Sequence, residues 1–152
     1  MANIIQPLQH FTKFESLDLG NQLIEQALLY KANPALDKAK GAGKRIGCIF
    51  LNPSLRTRVS TQLAALNLGM EPIVLNMDKE GWALEMQEGA VMNKGTVEHI
   101  KDAAAVLGSY FDILAIRAFP SLTNKEEDMS DFTFSQFVKY SGVPIVSLES
   151  AT

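Results

Sequence analysis

Phe50-Leu51-Asn52-Pro53-Ser54-Leu55-Arg56-Thr57-Arg58 is the stretch that decides the fold. It joins a short apolar run, Arg45 to Leu51, to a segment with helical spacing. The apolar run is typical of a strand that is covered on both faces. Pro53 ends this strand, because proline has no backbone N–H to donate to a ladder. We therefore expect a buried strand that turns directly into a helix.

The helix after this turn is predicted to begin at Ser54, a residue type favoured as an N-cap, and to end at Gly69. Apolar residues recur along it at helical spacing. They are expected to form a single apolar stripe, which comprises Leu55, Val59, Leu63 and Leu66.

The charge of the first helical turn is unusual. Arg56 and Arg58 lie where the helix dipole is already positive and where free N–H groups point outward. A bound anion such as phosphate would remove this penalty, and the Ser54 and Thr57 hydroxyls would add donors. The alternative is a solvated helix start whose arginines face water. The pattern favours an anion site over that alternative.

Composition limits the class of protein. The chain has 152 residues, 47% hydrophobic and 20% charged, with a net charge of −3, which is ordinary for one globular domain. No run of Lys and Arg exceeds two residues, so neither nucleic acid nor a membrane surface is an expected partner. The single cysteine, Cys48, is expected to be a core residue in a reducing compartment. With no targeting pattern or long apolar span, we expect a cytoplasmic protein.

Strands and helices are predicted to alternate along the rest of the chain. Such alternation indicates an α/β fold, in which a four-stranded parallel sheet is flanked by helices. The predicted helices span 16–32, 96–110 and 130–141, and the further strands span 72–77, 112–117 and 143–148. We expect residues 1–152 to form one domain.

Polar residues follow three of the predicted strands. Ser54, Arg117 and Glu149 each lie at or just after the carboxyl end of a strand, the edge where parallel sheets bind ligands. Arg117 ends an apolar strand, where a buried guanidinium needs an anionic partner. A ligand or an acidic side chain could serve as that partner.

Two predicted connections are long. Residues 78–95 contain Trp82, the only tryptophan, and loops of this length are usually functional or disordered. Trp82 could equally be an anchor for its own loop. The connection 119–131 is acidic, and a solvated loop is expected there. His10 and His99 have no metal-ligand spacing, and no Gly-rich phosphate loop is present, so neither a metal nor a cofactor is expected.

The Ser-Leu-Arg-Thr-Arg motif resembles the carbamoyl-phosphate signature of the aspartate/ornithine carbamoyltransferase family. The order of elements resembles the amino-terminal, carbamoyl-phosphate-binding domain of that family over almost the whole chain. Three further segments resemble the branch that uses N-acetyl- or N-succinylornithine. They are Gly-Trp-Ala-Leu-Glu at 81–85, Arg-Ala-Phe-Pro at 117–120 and Leu-Glu-Ser-Ala-Thr at 148–152.

This resemblance implies roles for individual residues. Ser54, the Leu55 amide, Arg56 and Thr57 would hold the phosphate, and Arg117 would bridge the phosphate and the carbamoyl oxygen. Of these, Arg56, Thr57 and Arg117 would be catalytic. Trp82 would reach the carbamoyl-phosphate site of a neighbouring subunit in a homotrimer. Glu149 would contact the amino-acid substrate. Carbamoyl transfer needs fixed donors around a developing oxyanion and no metal or cofactor.

Two departures from the family pattern bear on these implications. Val59 stands where the family often has a hydroxyl residue. The chain also ends at Thr152, before the His-Pro-x-Gln motif and the amino-acid-binding domain that follow in the family, so this chain alone is expected to be inactive.

Val97 is the residue from which we predict acyl specificity. An acidic residue there would favour acetyl, whereas uncharged Val97 tolerates a succinyl carboxylate. We therefore expect N-succinylornithine to be the acceptor in arginine biosynthesis. The alternatives are an ordinary ornithine carbamoyltransferase and a non-catalytic anion-binding or trimerisation domain.

Overall fold

Strands and helices alternate along the part of the chain that the computed structural model describes, residues 10–11, 16–77, 82–86, 89–91, 95–120 and 122–149. In chain order the elements are α1 (Leu17–Ala32), β1 (Arg45–Phe50), α2 (Arg56–Asn67), β2 (Glu71–Asn76), β3 (Leu84–Glu85), β4 (Glu98–His99), α3 (Ile100–Tyr110), β5 (Ile113–Arg117), α4 (Lys125–Met129), α5 (Phe132–Ser141) and β6 (Ile145–Glu149).

The main sheet has the strand order β2-β1-β5-β6, and every neighbouring pair is parallel. The predicted four-stranded parallel sheet is therefore confirmed. The chain moves from β1 to β2 on one side and later places β5 on the other side of β1. This reversal opens a crevice between the ends of β1 and β5, the place where open α/β sheets bind ligands.

Both faces of the sheet are covered by apolar side chains, as expected for strands that read as continuous apolar runs. Alternation along β1 sends Ile49 to one face and Cys48 and Phe50 to the other. The Ile49 face is packed by α3 and α5, and its buried residues include Ile100, Ala104, Leu114, Ile116, Phe134, Phe137 and Ile145. The Phe50 face is packed by α2, and its buried residues include Ile46, Cys48, Ala65, Met70 and Ala115.

Local hydrogen bonds account for several element boundaries. The Ser16 side chain accepts the Leu19 amide at 3.2 Å, which confirms the predicted cap of α1. His99 caps α3, because its Nδ1 accepts the Lys101 amide at 3.1 Å. His10 Nδ1 similarly accepts the Ile145 amide at 3.2 Å, beside a parallel bridge between Phe11 and Val146. Both histidines therefore accept hydrogen bonds from backbone amides in this structure.

The predicted apolar stripe on α2 is exposed and does not pack against the sheet. Leu55, Val59, Leu63 and Leu66 are 79%, 46%, 54% and 52% exposed, and the buried residue of α2 is Ala65. Periodicity locates an apolar face but does not say what it faces. Here a small side chain meets the sheet, and the large ones point outward.

The two long connections contain structure that the sequence did not predict. In the first, β3 pairs with β4 as a small parallel sheet, and α3 consequently begins at Ile100 rather than at residue 96. In the second, α4 forms inside the predicted acidic loop. Both elements are shorter than the windows from which periodicity can be read.

A candidate anion-binding cleft at the carboxyl edge of the sheet

A cleft of about 630 Å³ lies at the crevice between β1 and β5. The turn after β1 forms one wall, and the ends of β5 and β6 form the other. Its lining residues are Pro53, Ser54, Leu55, Arg56, Thr57, Arg117, Phe119 and Glu149. The structure therefore brings together six of the eight residues predicted for the site, and it does so through three separate connections.

The first turn of α2 supplies hydrogen-bond donors to this cleft. The Ser54 Oγ accepts the Thr57 amide at 3.2 Å, so Ser54 makes the predicted capping bond although helical geometry already begins at Leu55. The amides at the start of a helix have no preceding carbonyl to bond, and the dipole makes this end positive. Arg56 is exposed and adds a full positive charge. These are the features of an anion-binding helix start.

Arg117 lies buried at the base of the cleft. Its side chain is 8% exposed, and Nε and Nη2 are each 3.1 Å from Glu149 Oε2. Its Nη1 donates to the carbonyls of Asn52 and Pro53, at 3.2 and 2.6 Å. Every nitrogen of the guanidinium therefore has an acceptor within the chain. Of the two partners left open by the sequence, the structure shows the acidic side chain, Glu149.

A break in strand register brings Glu149 to Arg117. Ile116 lies opposite Ser147, but Arg117 lies opposite Glu149, so the ladder skips Leu148. Such bulges re-aim side chains next to functional sites. Without this one-residue irregularity, Leu148 would be opposite Arg117.

Asn52 joins the two walls of the cleft. Its side-chain Oδ1 accepts the Phe119 amide at 2.6 Å, while its carbonyl accepts from Arg117. The Phe119 ring in turn lies 3.9 Å from the Arg117 guanidinium carbon, as a cation–π contact. Asn52 was not among the residues predicted for the site. An asparagine directly before proline at the end of a buried strand was the signal available.

Trp82 and Val97 do not line this cleft. Trp82 donates from Nε1 to Glu98 Oε2 at 2.8 Å and lines a separate, apolar cleft of about 330 Å³ with Met77, Val106 and Leu107. Val97 is 50% exposed and donates its amide to the Ala83 carbonyl at 2.8 Å. Both belong to the small β3–β4 unit. Within one chain, Trp82 anchors its own loop, which is one of the two roles considered from the sequence.

Cys48, a potentially reactive side chain, is part of the hydrophobic core. Cys48 is completely buried, and burial raises the pKa of its thiol to about 11, so it is not a nucleophile near neutral pH. In the described part of the chain, no three His, Cys, Asp or Glu side chains are grouped as they would be around a metal ion. The helices described are all too short or too polar to cross a bilayer.

The sequence matches a family model described as the aspartate/ornithine carbamoyltransferase, carbamoyl-P binding domain, over residues 9–152. Parts of the motifs that suggested this resemblance, Gly81 and residues 150–152, lie outside the described residues.

Three curated relatives illustrate the match. N-acetylornithine carbamoyltransferase of Xanthomonas campestris pv. campestris is 39% identical over 147 residues, which cover 95% of this chain and 43% of the relative. N-succinylornithine carbamoyltransferase of Bacteroides fragilis is 45% identical over 112 residues, or 74% and 35% of the two chains. Ornithine carbamoyltransferase of Hyperthermus butylicus is 36% identical over 108 residues, or 71% and 27%. This chain spans less than half the length of these relatives.

Solved structures show the same similarity. Acetylornithine transcarbamylase complexed with acetylcitrulline matches with a TM-score of 0.84 and 40% identity, over 93% of this chain and 42% of that one. A mutant of N-acetyl-L-ornithine transcarbamylase, with valine replacing a glutamate, is complexed with carbamyl phosphate and N-succinyl-L-norvaline. It matches with the same TM-score of 0.84 and 40% identity, over 93% and 43% of the two chains.

Proposed function

This chain belongs to the aspartate/ornithine carbamoyltransferase family, and from that premise we propose that it is the carbamoyl-phosphate-binding half of an N-acylornithine carbamoyltransferase. One observation carries the proposal: Ser54, Leu55, Arg56, Thr57 and Arg117 line a single cleft at the carboxyl edge of the sheet. Relatives acting on N-acetyl- and N-succinylornithine support the N-acylornithine branch.

The proposed chemistry is carbamoyl transfer to an amine. The deprotonated side-chain amine of the acceptor attacks the carbonyl carbon, so that a C–N bond forms and the C–O bond to phosphate breaks. The amine nitrogen passes one proton to the leaving phosphate, which departs as inorganic phosphate. Arg56 and Thr57 would stabilise the phosphate as its charge develops, and Arg117 would stabilise the carbamoyl oxygen. No step needs a metal or a cofactor.

Glu149 is proposed to contact the amino-acid acceptor. Its carboxylate is 46% exposed beside the buried Arg117, so one side of it remains accessible from the cleft. The remainder of the acceptor site would come from a second domain, which the length of the relatives leads us to expect in the complete enzyme. Cytoplasmic arginine biosynthesis is the proposed setting, and the buried Cys48 suits a reducing compartment.

N-succinylornithine is the proposed acceptor within this branch. Val97 brings no negative charge, and its side chain is half exposed, so a second carboxylate on the substrate would meet no like charge from this residue. The solved mutant that has valine in place of a glutamate holds N-succinyl-L-norvaline. That relative thus combines an uncharged side chain with a succinylated ligand.

A homotrimer is the proposed assembly, with Trp82 completing the carbamoyl-phosphate site of a neighbouring subunit. Two apolar surfaces support an interface with other copies. One is the exposed stripe of α2, formed by Val59, Leu63 and Leu66, and the other is the apolar cleft beside Trp82.

Replacement of Arg56 by alanine tests the proposed donor site. Isothermal titration of the 152-residue chain with carbamoyl phosphate should show binding by the unmodified protein. Arg56→Ala should lose about 2 kcal/mol or more, because charge-assisted contacts to the phosphate disappear. Arg45→Ala is the matched control, since Arg45 is an exposed arginine at the opposite end of β1. Equal affinity in the Arg56 variant and the unmodified chain would contradict the assignment.

An ordinary ornithine carbamoyltransferase is the runner-up, favoured by the Hyperthermus butylicus relative. Turnover of unmodified ornithine by the complete enzyme would support that reading. Binding of carbamoyl phosphate without any turnover by the complete protein would instead indicate a non-catalytic domain.

A further inference from the structure

The two arginines of the Ser-Leu-Arg-Thr-Arg turn differ in their surroundings, and we propose that the second one, Arg58, is a positioning residue. It fastens the first turn of α2 to the sheet, so that Leu55, Arg56 and Thr57 are held where an anion binds. This inference rests on the proposed function of that turn.

The structure separates the environments of Arg56 and Arg58. Arg56 is exposed and lines the cleft, whereas Arg58 is half-buried and is not among the lining residues. The Nη2 of Arg58 donates to the Oδ1 of Asn76 at the carboxyl end of β2. Its guanidinium carbon also lies 5.4 Å from the centre of the Phe50 ring. Arg58 is therefore directed toward the sheet.

The two residues that receive Arg58 are themselves fixed. Phe50 is completely buried, and Asn76 lies opposite it in the β1–β2 register. Arg58 thus contacts two adjacent strands at the ends nearest the cleft. A planar guanidinium can stack on a ring and donate a directed hydrogen bond at once, whereas a lysine ammonium provides only a point charge.

The first turn of α2 needs such a fastening because the helix has little apolar packing. Its carboxyl end is tied down by the backbone, through the Gly41 amide, which donates to the Leu68 carbonyl at 2.8 Å. Ala65, the buried residue of α2, also lies in this second half. Near the start of the helix, the Arg58 side chain connects α2 to β1 and β2. The Gln62 side chain then donates to the Arg58 carbonyl at 3.1 Å.

Arg58 also has a feature that a side chain serving only to fill space would not have. Its Nε–H is buried and lacks a hydrogen-bond partner among the described residues. A buried unsatisfied donor is unfavourable for folding, so its presence calls for an explanation other than packing. A methionine of similar length would fill the same space without that donor.

Anion binding by the 152-residue chain tests the proposal, with inorganic phosphate and carbamoyl phosphate as titrants in calorimetry. Arg58→Met and Asn76→Ala should each weaken binding by roughly tenfold, about the value of one hydrogen bond to a charged group. The double variant should bind no more weakly than the weaker single variant, because both remove the same fastening. Arg58→Lys should recover only part of the loss. Arg45→Met removes an equal charge at the far edge and should leave binding unchanged.

Hydrogen exchange provides a readout that needs no ligand. The amides of Thr57 and Val59 are bonded to Ser54 Oγ and to the Leu55 carbonyl, each at 3.2 Å. Both should exchange faster in Arg58→Met and Asn76→Ala, while the amides of β1 exchange as before. If Arg58→Met does not fold, Arg58→Lys and Asn76→Ala carry the comparison.

The outcomes distinguish this inference from the proposed function. Absence of anion binding by the unmodified chain would remove the proposed function, and the exchange rates would still decide the role of Arg58. A loss of binding in Arg58→Met without any loss in Asn76→Ala would show direct anion contact and overturn the positioning role. Unchanged binding and exchange in both variants would overturn it as well.

Discussion

At the scale of a single residue, Arg117 separates what a sequence can predict from what it cannot. A cation at the end of an apolar strand requires an anionic partner, and parallel strands bring their carboxyl ends to one edge. Both rules are local, and together they predicted that Arg117 and Glu149 lie near the Ser54 turn. The direct pairing of Arg117 with Glu149 depends on the skipped Leu148. No periodicity in the sequence indicates this shift in strand register.

Val97 carries the prediction about substrate choice. Replacing it by glutamate in the complete enzyme places a carboxylate where a succinyl group would bring its own, and like charges repel. The ratio of N-succinylornithine to N-acetylornithine turnover should fall, by about tenfold or more for one uncompensated charge pair. Val97→Gln is the matched control, since it has the same size without the charge. An unchanged ratio in the glutamate variant would remove Val97 from the account of specificity.

At the scale of the element, the strongly patterned segments were predictable, and the weakly packed ones were not. The four sheet strands and the buried face of α3, with Ile100 and Ala104, follow from apolar runs and helical spacing. In helix α2 the apolar spacing does not mark the packed face. Ala65 meets the sheet, while the large apolar residues are exposed. Tertiary placement decides which face is covered, and helical spacing alone does not indicate which face that is.

The amino-terminal ends of β1 and β5 are joined by Asp112. Its Oδ1 lies 2.8 Å from Lys44 Nζ, and its Oδ2 accepts the Arg45 amide at 2.9 Å. The Lys44 hydrogen bond, followed by the Arg45 amide, lowers the pKa of the Asp112 carboxyl below its ordinary value of 3.8. Because the folded pKa is the lower one, this stabilisation is present above the unfolded pKa and is lost as the pH falls through the folded one.

Asp112→Asn should therefore be less stable than the unmodified chain near neutral pH, and the difference should shrink once the pH falls below the unfolded value. Urea unfolding at a series of pH values, from about pH 7 to about pH 3, measures this difference. Lys44→Met removes the ammonium partner and should flatten the same pH dependence. A difference that stays constant to the lowest pH would show that the carboxylate charge plays no part.

At the scale of the whole molecule, the exposed apolar surfaces are the features that bear on assembly. The stripe of Val59, Leu63 and Leu66 is exposed, and a separate apolar cleft lies beside Trp82. The sequence alone predicted the α2 stripe but did not indicate whether it is covered or exposed. Their exposure is what an interface between copies requires.

Mixing two variants tests the proposed trimer and its shared site. Arg56→Ala chains keep an intact Trp82, and Trp82→Ala chains keep an intact Arg56. In a symmetric ring in which each site takes its tryptophan from a neighbour, an equal mixture restores about a quarter of the sites. Carbamoyl-phosphate titration counts these sites, and sedimentation equilibrium gives the mass of the assembly. A mixture that binds no better than the separate variants would contradict a shared site.

The skipped residue in β6 has a kinetic consequence. Glu149 and two carbonyls accept from four of the five N–H groups of Arg117, so a ligand that needs more than the remaining Nη2 hydrogen must displace the internal carboxylate. Under the proposed function, such an exchange would free Glu149 when carbamoyl phosphate binds. If Glu149 then receives the amino acid, binding of carbamoyl phosphate first would be favoured. The bulge in β6 would thus favour ordered substrate binding, with carbamoyl phosphate binding first.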